Sequence, residues 1–453
     1  MGHHIAVVGA GPSGIYAVQA LLSSEAVERV DVLETLPAPY GLLRYGVAPD
    51  HPKTKTVSRA LARAFDDPRV RFIGNVHVGK DVTRAELLTH YDAIVYATGA
   101  RYDRDLGIPG EELAGSLGAA HFVAWYSGHP DVLKPAELDG TTTLVVIGAG
   151  NVALDVSRIS LQPIALLRGT DMPREVVDEF SDGAVDEVHL LCRRGPEHVK
   201  FTRVELAELL ELPHTRIVIH ATDEELVADP DHPREVATNL RLFREAKERW
   251  DNIGEQTGED APDWTDVAHK TMHFHFWTVA TRIEGTDRVT GVDILTSRPG
   301  TEPAEDHIET QGVIRAIGYR GEPIPGLPFD PDACLIPNVA GEVPGTDGRE
   351  FVTGWIKRGP TGVIGTNKGD AAETVATLLA NLADPAQSRA QHGTSTRPDI
   401  AETLARRAEM RLVDWTQWRR IQEAEDALGA EHGAETIKLA EREEMLRAAF
   451  GEE

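Results

Sequence analysis

Gly9-Ala10-Gly11-Pro12-Ser13-Gly14 has the residue types and spacing to hold a pyrophosphate. Gly9 suits a tight turn, Gly11 lets a phosphate approach bare backbone, and Gly14 lets a helix lie close on a strand. A helix that starts there offers free N–H groups and the positive end of its dipole. Glu34, twenty residues past Gly14, is a carboxylate of the kind that accepts hydrogen bonds from adenosine ribose hydroxyls. A second set, Gly148-Ala149-Gly150-Asn151-Val152-Ala153, repeats the spacing with alanine for the last glycine. The chain after it reaches Arg193-Arg194 where an acid would hold a 2′-hydroxyl. Two guanidinium groups there suit a 2′-phosphate, hence NADP rather than NAD.

These residues need strands ahead of the glycines and helices behind them. Ile5–Val8, Val30–Leu33, Tyr91–Ala100, Thr143–Ile147 and Glu187–Cys192 are short apolar runs rich in β-branched residues, as buried parallel strands are. Helical spacing follows each glycine set, over Ile15–Leu22 in the first case. The distance from Gly150 to Arg193 exceeds the usual one, so Gln162–Asp186 must be an insertion. The fold expected is α/β, with two Rossmann-like dinucleotide-binding domains in a three-layer arrangement.

Between these elements, Pro37–Pro52 carries too many prolines and glycines for a continuous helix or strand. Lys53, Lys55, Arg59 and Arg63 follow on an expected basic helix. Val70–Val78 reads as two short strands around Gly74, and Ile108-Pro109-Gly110 as a linker. Phe201–Leu210 reads as a helix whose Glu205 or Glu208 could reach a nicotinamide or ribose. Asn239–Trp250 is a further helix with Arg241 and Arg244, and Gly254–Asp266 an acidic loop. His273–Val279 alternates as a half-buried strand does; its two histidines suggest no third metal ligand. The glycine-dense stretch Phe351–Asn367 precedes a helix over Asp370–Leu382, whose N-terminal amides could face a flavin ring. Beyond Pro385 come charged helices with Trp415 and Trp418 as packing anchors, and no evident chemistry.

The chain has 453 residues and a formal net charge of −27, which argues against nucleic acid or an anionic membrane as main partner. No apolar run approaches the roughly 20 residues of a membrane span. The first strand begins so close to Met1 that a signal or transit peptide is not expected. Two cysteines, Cys192 and Cys334, are too few for a disulfide framework, a C-x-x-C dithiol or a cysteine-held iron–sulfur cluster. A reducing cytoplasm is the simplest compartment.

Longer stretches then match a known pattern. Gly9–Gly14 (G-A-G-P-S-G), Tyr45–Pro52 (Y-G-V-A-P-D-H-P), Gly150–Asp155 (G-N-V-A-L-D), Arg193–Pro196 (R-R-G-P) and Gly354–Ile364 (G-W-I-K-R-G-P-T-G-V-I) come in one order over nearly the whole chain. In these the sequence resembles the adrenodoxin reductase-like ferredoxin–NADP⁺ reductases. The resemblance implies a disulfide-reductase-like architecture without the redox dithiol. It implies an FAD domain from 1–105 and 318–453, with 385–453 a helical extension, and an NADP domain over 106–317. It implies hydride transfer from NADPH to FAD, then single electrons passed to a separate ferredoxin-type iron–sulfur protein.

Residue by residue, the resemblance implies FAD contacts at Ser13, Glu34, Leu42, Val78, Trp355, Gly362, Val363 and Ile364 beside Gly9, Gly11 and Gly14. It implies NADP contacts at Ala149, Gly150, Asn151, Val152, Arg193, Arg194, Glu205 and Gly362. His51 and Glu208 match a polar pair near the nicotinamide that is implied to assist hydride transfer. Ferredoxins are usually acidic, so a basic docking patch drawn from Lys53, Lys55, Arg59, Arg241, Arg244 and Arg358 is expected. Three other readings remain open at this level. A disulfide reductase would need the missing dithiol, a flavin monooxygenase would couple to oxygen, and a module feeding electrons into a larger complex would copurify with it.

Overall fold

The computed structural model describes residues 2–452 apart from 133–134, 136–137, 139, 183–184, 255–268, 385–397 and 408–409. The acidic loop expected over Gly254–Asp266 lies outside the described residues, except for Gly254, which ends a helix. The described chain forms two compact units. One comprises Met1–Tyr102, Ser127–Asp131 and Tyr319–Glu453; the other comprises Asp103–Tyr126 and Val132–Gly318.

The first unit is built on a five-stranded sheet in the order Glu350–Val352, Ala93–Tyr96, His3–Val8, Val27–Leu33, Val70–Ile73. Every pairing in it is parallel. The apolar runs have no polar face because helices or loops cover both sides. Ile5 and Val7 go into one core, and Ala6 and Val8 into another. The helices Pro12–Leu21 and Thr366–Ala383 pack together over the first core, through Ile15, Val18 and Leu21 on one and Ala371, Val375 and Leu378 on the other. Burying each larger aliphatic side chain contributes about 1.5–3 kcal/mol, so this pair fixes the start of the first helix firmly.

The second unit holds a six-stranded parallel sheet in the order Ser116–Gly118, Gly312–Arg315, Thr143–Ile147, Glu187–Cys192, Lys270–Phe276, Thr215–His220. Leu144, Val146, Leu190 and Phe274 point into a large core with the helices Asn151–Leu161 and Arg203–Leu210. Val145, Ile147 and Leu191 face the other way, against residues of a three-stranded antiparallel sheet, Thr278–Gly285, Val289–Thr296 and Ala304–Glu309. Two parallel α/β sheets, each behind a glycine turn, make the fold the expected one. The insertion over Gln162–Asp186 carries helices Ile164–Leu167 and Arg174–Asp182, whose Leu167, Val177 and Phe180 enter the core.

Three local expectations fail for identifiable reasons. Val70–Val78 gives one strand, Val70–Ile73, because Gly74 pairs with Val413 from the tail and Asn75 turns at φ 61°. Ile108-Pro109-Gly110 is no free linker. The Ile283 N–H donates to the Pro109 carbonyl at 2.9 Å, and Gly110, at φ +82°, packs so closely on Ile283 that a Cβ would stand 2.0 Å from its oxygen. The basic helix over Lys53–Arg63 is three short pieces, Pro52–Lys55, Val57–Ala62 and Arg63–Asp66. Among the described residues no helix is long and apolar enough to cross a membrane.

Candidate functional site

The first glycine turn leaves the His3–Val8 strand and enters the Pro12–Leu21 helix. Gly9 sits at φ +105°, and a Cβ there would lie 2.5 Å from the Ala97 carbonyl oxygen. A Cβ on Gly14 would lie 2.0 Å from the Gly9 oxygen. Gly41, itself at φ +48°, brings its chain against Gly11; a Cβ on Gly41 would stand 3.2 Å from the Gly11 Cα. The helix has no side-chain cap on its first turn and proline at its start. Its N–H groups therefore remain for an oxyanion.

Glu34 ends the second strand with its carboxylate turned back on the turn. It accepts hydrogen bonds from the Ala10 N–H at 2.7 Å and the Leu36 N–H at 3.1 Å. Burial pushes this carboxyl up from its ordinary value, and those amides oppose the push. Each oxygen keeps a lone pair for a hydroxyl donor.

Remote segments complete this region. Gly354, at φ 76°, lies so close to Ser13 that a Cβ would meet its Oγ at 2.3 Å. The Asp370 carboxylate holds the Gly354 turn by accepting from the Gly354 N–H at 2.5 Å and the Thr353 hydroxyl at 2.9 Å. Trp355 stacks on Tyr319 with ring centres 5.8 Å apart. Gly362, Val363 and Ile364 lead into the Thr366–Ala383 helix, with Val363 72% exposed. Leu42 opens a one-turn helix beside Gly41, and Val78 packs on the core that holds Leu33 and Val76. The structure thus draws Gly9, Gly11, Ser13, Gly14, Glu34 and Leu42 together with Gly354 and Trp355. Bare backbone, uncapped amides and a held carboxylate fit an adenine dinucleotide.

The tail contributes here, although the sequence suggested no chemistry in it. Trp418, 1% exposed, meets Tyr40 edge-on, and Trp415 stacks on Phe65 at 4.1 Å, as packing anchors should. The Glu425 carboxylate, 2% exposed, pairs with both terminal nitrogens of Arg44, one at 3.0 Å. Burial would lower the Arg44 guanidinium, but Glu425 outweighs it and holds the charge. This pair pins the segment that presents Gly41 to Gly11.

The second turn has the same plan and different surroundings. Gly148 would drive a Cβ to 2.3 Å from the Ala316 oxygen, whereas beside Gly150 nothing lies within 4 Å. The helix after it again has no side-chain cap, and Ala153 is fully buried. The Asn151 side chain accepts from the Thr202 N–H at 2.9 Å, and the Ala149 carbonyl from the Lys200 N–H at 2.8 Å. Val152 packs on the core. Glu205 bonds the Thr202 hydroxyl and so takes part in capping the Arg203–Leu210 helix; Glu208 stands exposed on that helix.

Arg193 and Arg194 are exposed just past their strand. Neither guanidinium has a salt-bridge partner among the described residues, and the same is true of exposed Lys200 and Arg203. Four cations in eleven positions was a signal in the sequence that the Arg193-Arg194 reading passed over. On a chain of net −27, such a cluster is a local basic surface of the kind that attracts an anion.

The remaining predicted residues are scattered more widely. His51 precedes the Pro52–Lys55 helix in the first unit. Among the expected docking cations, Arg59 pairs with Glu435, Arg241 with Glu245 and Arg244 with Glu248. Arg358 bonds Asn367 at 2.7 Å. Lys53 and Arg63 are exposed and lack a carboxylate partner among the described residues. His273 and His275 share one face of their strand, as expected, and the sheet brings up a third histidine that the sequence did not suggest. Strand order sets them beside His189, and one ring nitrogen from each of the three lies within 4.8 Å of the others. The sequence hid this because His189 is 84 positions upstream and parallel neighbours are set by topology.

A family model described as pyridine nucleotide-disulphide oxidoreductase matches residues 3–189. The chain is 40% identical to NADPH-ferredoxin reductase FprA of Mycobacterium leprae, over 99% of each. It is 34% identical to the mitochondrial NADPH:adrenodoxin oxidoreductase of Arabidopsis thaliana, covering 98% of this chain and 95% of that one. The solved structure of Mycobacterium tuberculosis FprA in complex with NADPH superposes with a TM-score of 0.88 at 39% identity over the whole of both chains.

Proposed function

The chain belongs to the ferredoxin–NADP⁺ reductases of the adrenodoxin reductase type, and from that membership we propose a division of labour between its two units. The activity is that of an FAD-dependent NADPH:ferredoxin oxidoreductase. FAD, when bound, supplies the conversion between the hydride of NADPH and the single electrons that an iron–sulfur carrier takes. The first unit would hold FAD. Gly9, Gly11, Ser13 and Gly14 would receive its pyrophosphate, Glu34 its ribose, and Leu42, Val78, Trp355 and Gly362–Ile364 the rest of the molecule. The second unit would hold NADPH, through Ala149–Val152 for the pyrophosphate and Arg193 and Arg194 for the 2′-phosphate. Glu205, occupied at its helix cap, would orient that helix beside the nucleotide. His51 and Glu208 are the groups we propose for assisting hydride transfer, on the strength of their match to the family pattern.

One observation carries this reading: two uncapped helices behind glycine turns, one turn bonded by a held carboxylate, the other followed at the end of the neighbouring strand by guanidiniums with no salt-bridge partner among the described residues. Purified protein should be yellow and should oxidise NADPH far faster than NADH. Replacing Arg193 and Arg194 with leucine should cut that preference about a hundredfold, since each charge-assisted hydrogen bond contributes about 1.5–3 kcal/mol. An unchanged preference would remove both residues from the site. A colourless protein that cannot be reconstituted with FAD would remove the first unit's assignment.

For the acidic iron–sulfur partner, we propose a basic surface centred on Lys53 and Arg63, with Lys55 in the same segment; Arg59 and Arg358 contribute less, because Glu435 and Asp370 partner them. Arg241 and Arg244 contribute less, because their i+4 glutamates cancel them. Charge reversal at Lys53 and Arg63 should slow ferredoxin reduction and leave NADPH–dye activity unchanged. The two free cysteines support a reducing cytoplasm as the compartment.

A further inference from the structure

We propose that His189, His273 and His275, with the Glu187 carboxylate beside them, bind one transition-metal dication of the zinc type. The Lys270–Phe276 strand lies between Glu187–Cys192 and Thr215–His220. In register, His273 stands opposite His189, and His275 opposite His220. Because side chains alternate along a strand, Glu187, His189, His273, His275 and His220 share one face, while Cys192, Phe274 and Phe276 enter the core on the other. Four imidazoles therefore gather on rigid sheet rather than on loops.

The spacings suit coordination. His189 Nδ1 and His275 Nε2 are 3.0 Å apart, and the His189 and His273 rings stack at 4.4 Å. Two nitrogens bound tetrahedrally to zinc at about 2.0–2.1 Å stand about 3.4 Å from each other. One nitrogen from each of the three rings lies within 4.8 Å of the others, so the set must draw in by about an ångström, as ring rotation does, to reach that spacing. Glu187 Oε1 lies 2.9 Å from His273 Nε2 and 3.2 Å from His189 Nε2. At these distances Glu187 serves as the fourth ligand, beside His273 Nε2, whose other nitrogen is held by His220. The side chains of His189 and His273 are 12% and 17% exposed, whereas Glu187 is 40% exposed, so an ion would enter past Glu187.

Burial, and then the neighbouring rings, keep these imidazoles below their ordinary pKa and so in the neutral form that coordinates. Imidazole nitrogens with one carboxylate and no thiolate select zinc, nickel or copper(II) over magnesium or calcium. His220 is left outside the set. The Arg298 guanidinium donates to the His220 carbonyl at 2.6 Å and would repel an ion on that side. His220 instead meets His273 Nδ1 at 3.0 Å and orients it.

Without metal, a ladder of neutral rings satisfies the same nitrogens. Glu187 accepts from His189 and His273, which in turn accept from His275 and His220. A bound dication replaces protons of that ladder and releases them to solvent. The holoprotein, dialysed against zinc chloride and assayed by elemental mass spectrometry, decides between the two. Wild type should take up one more zinc per chain than the His189→Asn, His275→Asn double variant. Glu187→Gln should weaken uptake by about tenfold. Equal uptake by wild type and the double variant overturns the site. If the double variant loses its flavin colour or fold, diethyl pyrocarbonate labelling of wild type replaces it. Zinc must then protect His189, His273 and His275, and labelling unchanged by zinc refutes the proposal.

Discussion

Around Gly9–Gly14 the protein closes in; around Gly148–Ala153 it stays open. Gly354 presses on the first turn from a remote part of the chain with a clearance that admits no side chain, and Gly41 approaches it more loosely, a Cβ there standing 3.2 Å from the Gly11 Cα. Its acid, Glu34, is held by two backbone amides. Gly150 has nothing within 4 Å, and its basic residues stand exposed and unpaired among the described residues. One sequence pattern thus serves two kinds of site. An enclosed, preorganised site favours slow release of its ligand. An open site that attracts through exposed charge favours rapid exchange and is screened by salt. The first behaviour suits a resident FAD, the second a nucleotide that leaves after each turnover.

The sharpest way to break this contrast is to add one methyl group to each turn. Gly14→Ala puts a Cβ 2.0 Å from the Gly9 oxygen, and neither backbone can yield without dismantling the turn. Visible absorbance of the purified variant should show almost no flavin. Gly150→Ala meets no protein atom within 4 Å and should keep full flavin and an unchanged melting temperature. It should raise KM for NADPH, because the methyl occupies space a phosphate needs. The second turn already carries a buried methyl at its third position, Ala153, so that position cannot be the sensitive one. Equal flavin loss in both variants would end the comparison.

The next largest effect tests whether the tail maintains the enclosure. Glu425→Gln leaves the Arg44 charge buried with no compensating carboxylate, which costs about 3–5 kcal/mol. Urea unfolding should show that loss, and FAD should dissociate more readily at urea concentrations well below the midpoint. If stability falls but flavin retention does not, Arg44 supports the fold without positioning the 40–45 segment.

Salt should move the open site and spare the closed one. Raising sodium chloride from 0.05 to 0.5 M, both about, shortens the screening length from roughly 14 to 4 Å. The dissociation constant for NADP⁺, read by difference absorbance, should rise several-fold. Flavin content should stay constant over the same range. An NADP⁺ affinity indifferent to salt would mean that Arg193, Arg194, Lys200 and Arg203 are not what attracts the nucleotide.

What the sequence disclosed follows from the same contrast. The open region is local: Gly148–Ala153 follows the Thr143–Ile147 strand, and Arg193 and Arg194 follow its parallel neighbour Glu187–Cys192, so the motifs stand out in the sequence despite the insertion between them. The closed site is assembled from distant pieces. Ser13 meets Gly354, Gly11 meets Gly41, and Arg44 meets Glu425 381 positions away. Glu34 was legible from its spacing, but its use of the Ala10 and Leu36 amides was not. The histidine cluster was missed for a related reason. Period-two alternation put His273 and His275 on one face, but nothing in one strand tells which strands flank it.

Acid gives the smallest effect and sharpens the comparison from the side of the first unit. Asp399 caps the Ile400–Ala405 helix and pairs with Arg71 and Arg29 across the edge of that unit's sheet, beside the buried Asp31. Burial raises its carboxyl, but hydrogen bonds from Arg71 and the Glu402 N–H outweigh this and hold it at about 2, below its ordinary 3.8. A carboxyl lowered on folding stabilises fully above its unfolded pKa and loses that contribution as pH falls through the folded one. Asp399→Asn should therefore cost about 1 kcal/mol at pH 7, after allowance for solvent screening. The difference from wild type should shrink between about pH 4 and pH 2 and vanish below. Urea midpoints at pH 7, 4 and 2.5 measure it. A gap that keeps its full pH 7 size at pH 2.5 would show that Asp399 acts through its helix cap alone, and that the charge network does not tie the tail to the sheet of the first unit.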